Sequence, residues 1–306
     1  MNYYKIRFIL IYLIVAEVIS CFLAYRYHLN EELIGMYLMI LPSTSIVLLK
    51  YSSKNEKLLV YDYIIYAYFM IFNICIIACL FMKYYGVNSQ KFINEFLINL
   101  GGIASIGILI NSFINNNEKD YKLDIFKNLR KCMYYLFCFL FILMILIILL
   151  RLNYYDALKM IVVGFFSIVS VNILFLGEEY CWRGYLQEML QQKFGKRCGI
   201  VILSLIWETW HIPLWYSYYK VDFIGNIFRY FYVLALSIII GYVYMKTKNL
   251  WICAMMHLMN NSIASAIGGI EVNKETLFAT SNLGFLIIIL TTISIVILTM
   301  KEFRDT

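Results

Sequence analysis

Apolar residues run through this chain in long unbroken stretches rather than at the period of a half-solvated strand or an amphipathic helix. Ten such stretches, of about 17 to 23 residues, lie at Phe8 to Ala24, Leu33 to Leu49, Val60 to Met82, Phe96 to Ile114, Met133 to Leu150, Met160 to Leu176, Gly199 to Tyr216, Tyr230 to Met245, Leu250 to Ile270 and Leu283 to Met300. A helix of about 20 residues crosses the hydrocarbon of a bilayer. The pattern therefore predicts an all-α, polytopic membrane helix bundle of about 8 to 10 transmembrane helices. Residues 1–150 read as N-terminal transmembrane helices, and 151–306 as a membrane-embedded core with a C-terminal helix.

Composition agrees. Of 306 residues, 62% are hydrophobic, 15% charged and only two are proline, too apolar for a soluble domain of this length. Lys5 and Arg7 precede the first run as they would precede a signal peptide. No small-residue cleavage pattern follows it, so that run is expected to remain as an anchor. Lysines and arginines divide unevenly between alternate connections, 17 against 8 with Arg183 set aside, which places both termini in the cytoplasm. The +7 formal charge then speaks of orientation and anionic lipid, not of nucleic acid. Eight cysteines form no CxxC pair and read as small buried hydrophobes, Cys181 included. The longest polar connection, Asn115 to Lys131, reads as a solvated cytoplasmic connector.

Candidate chemistry starts at Gly177-Glu178-Glu179-Tyr180-Cys181-Trp182-Arg183-Gly184, directly after the sixth run. Glu179 and Arg183 are i and i+4 neighbours able to pair, while Glu178 points about 100° away. Two of the three histidines of the chain also lie within apolar runs, in Trp207-Glu208-Thr209-Trp210-His211-Ile212-Pro213 and in His257-Leu258-Met259-Asn260-Asn261. Imidazoles and carboxylates at membrane depth face cavities and one another. Glu178, His211, His257 and Asn261 are therefore expected to form one site from three helices. Peptide hydrolysis needs an activated water, an oxyanion donor and an acid for the leaving amine. Glu178 can act as base or metal ligand, and His211 can orient the same water or bind a metal. His257 and Asn261, one helical turn apart, can meet a carbonyl oxygen together. Pro213 cannot donate to the Thr209 carbonyl, so the helix should loosen beside His211.

The sequence Glu-Glu-x-x-x-Arg, then an aromatic-x-x-x-His, then His-x-x-x-Asn, in that order on membrane helices, resembles the CAAX-prenyl-protease-like and bacteriocin-processing (CPBP, or Abi) intramembrane proteases. Glu178, Glu179 and Arg183 match the first motif, Trp207 and His211 the second with Trp where Phe is common, and His257 and Asn261 the third. The likeness covers roughly Met160 to Ala266 and implies a CAAX-protease-like core. It implies that Glu178 and His211 activate water while His257 and Asn261 stabilise the oxyanion. In the metal-dependent version of that mechanism Glu178, His211 and His257 hold zinc or another divalent ion. Arg183 would brace Glu179. Glu208 lies outside the motif, with a bond towards His211 and a surface position equally open.

Other membrane proteases lack their marks here. There is no HExxH and no GxGD, and Ser167 bears only a superficial likeness to a rhomboid nucleophile. It reads as a helix-packing hydroxyl. Three function classes follow: an intramembrane endopeptidase acting near the cytoplasmic face; a catalytically idle scaffold or bacteriocin-immunity protein; and a proton-coupled transporter, disfavoured by the absence of visible repeats. The expected partners are a peptide or membrane-protein substrate and the lipid bilayer. The abundance of Ile, Lys, Asn and Tyr suggests an AT-rich bacterial source, in whose cell membrane a leader peptide or bacteriocin is a better substrate than a prenylated protein.

Overall fold

A computed structural model describes residues 2–53, 56–114, 122–266 and 281–304, and among them there are helices and no strands. In chain order they are α1 (Asn2–Tyr27), α2 (Glu31–Ser52), α3 (Val60–Tyr84), α4 (Gln90–Ile114), α5 (Leu129–Leu149), α6 (Tyr154–Cys181), a π-helical segment π1 (Trp182–Gln187) and α7 (Glu188–Phe194). There follow α8 (Lys196–Thr209), the single turn α9 (Ile212–Leu214), a second π-helical segment π2 (Trp215–Tyr219), α10 (Phe223–Thr247), α11 (Leu250–Ala266) and α12 (Ser281–Leu298). Among the described residues, eight helical stretches are long and apolar enough to cross a membrane. The ninth predicted run folds as α11, a 17-residue helix, and its last residues, 267–270, lie outside the described ones.

The chain divides into two compact units, one of Met1–Lys119 with Val169–Cys181, the other of Asp120–Ile168 with Trp182–Thr306. In the first, α2 packs against α1, α3 and α4. Asn30 caps α2 by accepting from Leu33 N at 3.0 Å, and Glu31 and Glu32 occupy its first turn, where the helix dipole favours negative charge. Pro42 interrupts its ladder, and the hydroxyls of Ser43, Thr44 and Ser45 donate to the carbonyls of Ile40, Leu41 and Pro42 at 2.6 to 2.8 Å. The buried hydroxyls thus find acceptors on their own helix, where lipid offers none.

In the second unit, α10 packs against α5, α8, α11 and α12. Its N-terminus is capped by Asp222, and its C-terminus turns at Lys248 in the left-handed region, φ 52°. Asn249 then caps α11, accepting from Trp251 N at 2.8 Å and Ile252 N at 3.2 Å. The same turn anchors part of the connection 115–131, whose described residues 122–131 stay exposed or half-buried. Asn249 Nδ2 donates to the carbonyls of Asp124, Ile125 and Lys127, the Trp251 indole donates to Leu123 O, and Lys122 O accepts from Leu250 N. Residues 122–127 are laced to the α10–α11 turn; residues 115–121 of that connection lie outside the described ones.

Candidate active site

The first motif sits where a helix changes character. Glu178 and Glu179 are buried on the last turn of α6, and the chain then widens into π1, whose first two residues are Trp182 and Arg183. A π segment adds a residue per turn and changes the face on which later side chains emerge, an irregularity frequent at functional sites. Gly177 begins this turn. A Cβ there would lie 3.0 Å from the Met39 carbonyl and 3.4 Å from Ser43 Oγ, so glycine permits the approach to α2. Three residues on, Tyr180 is wholly buried. Its hydroxyl donates to Asp62 Oδ1 at 3.0 Å and accepts from Lys50 Nζ at 2.5 Å, while Lys50 and Asp62 pair at 2.7 Å. Cys181, also buried, lies 3.7 Å from Ser45 Oγ.

The second motif lies on a broken helix of the other unit. Helix α8 stops at Thr209, and Trp210 and His211 form a turn, with Pro213 inside the one-turn α9 that follows. The loosening expected from Pro213 is present, since a residue without an N–H cannot extend the α8 ladder. His211 Nδ1 lies 2.8 Å from the Trp207 carbonyl. A carbonyl only accepts, so Nδ1 carries a proton, and the neutral form of the ring then has its lone pair at Nε2.

Aromatic and charged side chains wall this imidazole. His211 stacks on Trp215 at 5.6 Å between centroids, and tilts against Trp207 at 6.3 Å. His257, on α11 and 3% exposed, meets Trp207 edge-on at 5.1 Å. The two histidines thus share one indole. The Arg183 guanidinium lies over the same indole, 4.2 Å from its centroid, a cation–π contact inside a buried cluster.

Glu208 takes neither placement open to it: it is buried, but its hydrogen bond goes to Arg229 rather than to His211. Its Oε1 accepts from Arg229 Nε at 3.0 Å, and its Oε2 is 4.0 Å from His211 Nδ1, too long for a hydrogen bond but close for a charge. Arg229 in turn covers Trp215 at 3.4 Å. By position alone Arg229 counts among the cations that orient the chain. It is a buried partner instead, and no local pattern could reveal it, because its carboxylate is 21 residues away.

The third motif separates two adjacent asparagines. Asn260 is buried and accepts from the Tyr232 hydroxyl at 2.5 Å, while its amide donates to Asn261 Oδ1 at 3.2 Å. Asn261 is exposed. Its carbonyl end being an acceptor for Asn260, its NH2 end is the donor turned the other way. Asn260 and Tyr232 were not foreseen. A second asparagine in the motif was the only signal.

His211, His257, Asn261 and Arg183 thus belong to the second unit, and Glu178 and Glu179 to the first. Among the described residues no three His, Cys, Asp or Glu side chains are arranged to hold a metal ion. Ser167 donates to Val163 O at 2.8 Å, one turn back on its own helix, as a packing hydroxyl does. Compared with known proteins, residues 136–263 match the family model described as type II CAAX prenyl endopeptidase Rce1-like. No curated protein and no solved structure matches.

Proposed function

We propose, from the match of residues 136–263 to the type II CAAX prenyl endopeptidase Rce1-like family model, that this integral membrane protein is an intramembrane endopeptidase. In this reading Glu178 and His211 activate a water molecule. The observation that carries it is the bond from His211 Nδ1–H to the Trp207 carbonyl, because it leaves Nε2 with the lone pair that a base requires. Water oxygen bonds to the peptide carbon, its proton passes to Glu178 or His211 acting as base, and the carbonyl oxygen gains negative charge. His257 and the Asn261 NH2 donate to that oxyanion. The exposed position of Asn261 supports this role over Asn260, whose carbonyl oxygen is engaged by Tyr232. As the C–N bond breaks, the proton returns to the leaving amine.

The substrate class we assign is a peptide precursor or membrane-associated protein cut near the cytoplasmic face, with both termini of the enzyme in the cytoplasm of a bacterial cell. A leader peptide or bacteriocin fits this setting better than a prenylated protein.

The test uses the full chain in lipid nanodiscs and a panel of quenched-fluorescent peptides, both farnesylated CAAX peptides and amphipathic leader-type peptides, with metal content measured in parallel. Cleavage by the natural sequence, lost in Glu178→Gln and His211→Ala at unchanged metal content, supports the reading. Stoichiometric metal lost together with activity in His211→Ala and His257→Ala moves the chemistry to a metal centre. Absence of cleavage across the panel favours a catalytically idle scaffold.

A further inference from the structure

The Lys50, Asp62 and Tyr180 ring uses none of the residues that match the motifs, yet its tyrosine is the residue next to Glu179. Three elements meet there: the last turn of α2, the first turn of α3 and the last turn of α6. Lys50 is 4% exposed and Asp62 not at all. The carboxylate is fully used: Oδ2 accepts from Lys50 and, at 2.8 Å, from the Leu59 backbone N–H that opens α3, while Oδ1 accepts from Tyr180. Because the Tyr180 hydroxyl both donates and accepts, its direction is fixed. Its ring is fixed as well, T-shaped against Tyr61 at 4.8 Å.

A charged pair buried in this manner is an inefficient way to gain stability, since apolar residues of the same volume do as well or better. Its distinctive capacity is directional. The turn 177–181 is held to α2 at successive levels, by the close approach of Gly177 to Met39, by Cys181 at Ser45 and by Tyr180 at Lys50. Immediately beyond it the helix widens into π1. A regular helix would hold its own rotation. A turn that runs into a π segment does not continue into a regular i→i−4 ladder on that side.

We infer that Lys50, Asp62 and Tyr180 are positioning residues: a buried hydrogen-bonded ring that fixes the rotation of the α6 turn carrying Glu178, and thereby aims its carboxylate. This rests on the proposed protease function, in which Glu178 is the base. None of the three needs to touch substrate.

Tyr180→Phe removes only the hydroxyl and leaves the Lys50–Asp62 pair intact. The double variant Lys50→Met/Asp62→Leu removes both charges together, so that neither is left buried alone. Each full-length variant in nanodiscs is compared with the natural sequence by melting temperature, by hydrogen exchange of the 177–187 backbone, and by kcat and KM on the fastest-cleaved peptide of the panel. We expect exchange within 177–187 to rise by about tenfold or more while α1 and α4 are unchanged. We expect kcat to fall by about 10- to 100-fold at a KM within about twofold, as for a misaimed catalytic group. Unchanged exchange in both variants overturns the inference. So does unchanged kcat in folded protein, or a loss of activity that only follows the loss of folded protein. If the natural sequence cleaves nothing, or Glu178→Gln cleaves normally, it is the protease reading that fails, and the exchange measurement still decides whether the ring fixes the turn.

Discussion

Two buried ion pairs stand behind the candidate catalytic side chains, and they differ in how they reach them. Arg229–Glu208 acts at first hand: Glu208 lies 4.0 Å from His211, and Arg229 covers the Trp215 ring on which His211 stacks. Lys50–Asp62 acts through an intermediary, Tyr180, which shares a helical turn with Glu178. The difference follows from the backbone. His211 sits in a turn released by Pro213 and must be held by its neighbours' side chains, whereas Glu178 is on a continuous helix and needs only that helix to be fixed in rotation. In both places a buried carboxylate is paired with a cation within the protein, as charges at membrane depth usually are.

Substitutions can break this parallel. The largest effects belong to the acting groups themselves. Glu178→Gln and His211→Ala should each lower kcat on the cleaved peptide by about 10²–10⁴-fold, the share of a general base, with melting temperatures close to that of the natural sequence. Next comes Arg229→Leu, which leaves Glu208 buried without its cation and should destabilise folding by about 3–5 kcal/mol in a denaturation measurement. Arg229→Leu/Glu208→Leu should recover most of that loss, because the stranded charge goes too. Failure of the double variant to recover would mean that the pair organises the α8–α10 packing by more than its charge.

The neighbouring asparagines sharpen the contrast between acting and holding. Asn261→Ala should lower kcat by about 10²–10³-fold as an oxyanion donor does, at unchanged stability. Asn260→Ala should instead cost about 1–3 kcal/mol of stability by depriving the Tyr232 hydroxyl of its acceptor. Reversal of these two outcomes in parallel melting and kinetic assays would reassign the third motif to Asn260. Smallest of all, Ser167→Ala removes a hydroxyl bonded to its own helix and should leave kcat within about twofold.

Much of the architecture was legible because bilayer crossing is a one-dimensional constraint. Runs of apolar residues long enough to span announce themselves, and among the described residues eight folded as long apolar helices. The break at His211 was legible too, since proline acts on the backbone locally. What stayed hidden is what depends on pairing at a distance. By position alone Lys50 and Arg229 count as orientation charges, yet each is buried against a carboxylate 12 or 21 residues away. Glu208 takes neither placement open to it, because its bond goes to Arg229. The π segments were illegible for another reason: they have no composition of their own, and only the packing around Trp182 and Trp215 reveals them.

The central claim, that Glu178 activates water for peptide hydrolysis, is tested most directly by single-turnover cleavage in heavy-oxygen water, with the products weighed by mass spectrometry. The natural sequence should place one heavy oxygen in the new C-terminal carboxylate, and Glu178→Gln should yield no product on the same timescale. Labelled product from Glu178→Gln at the natural rate would contradict the account.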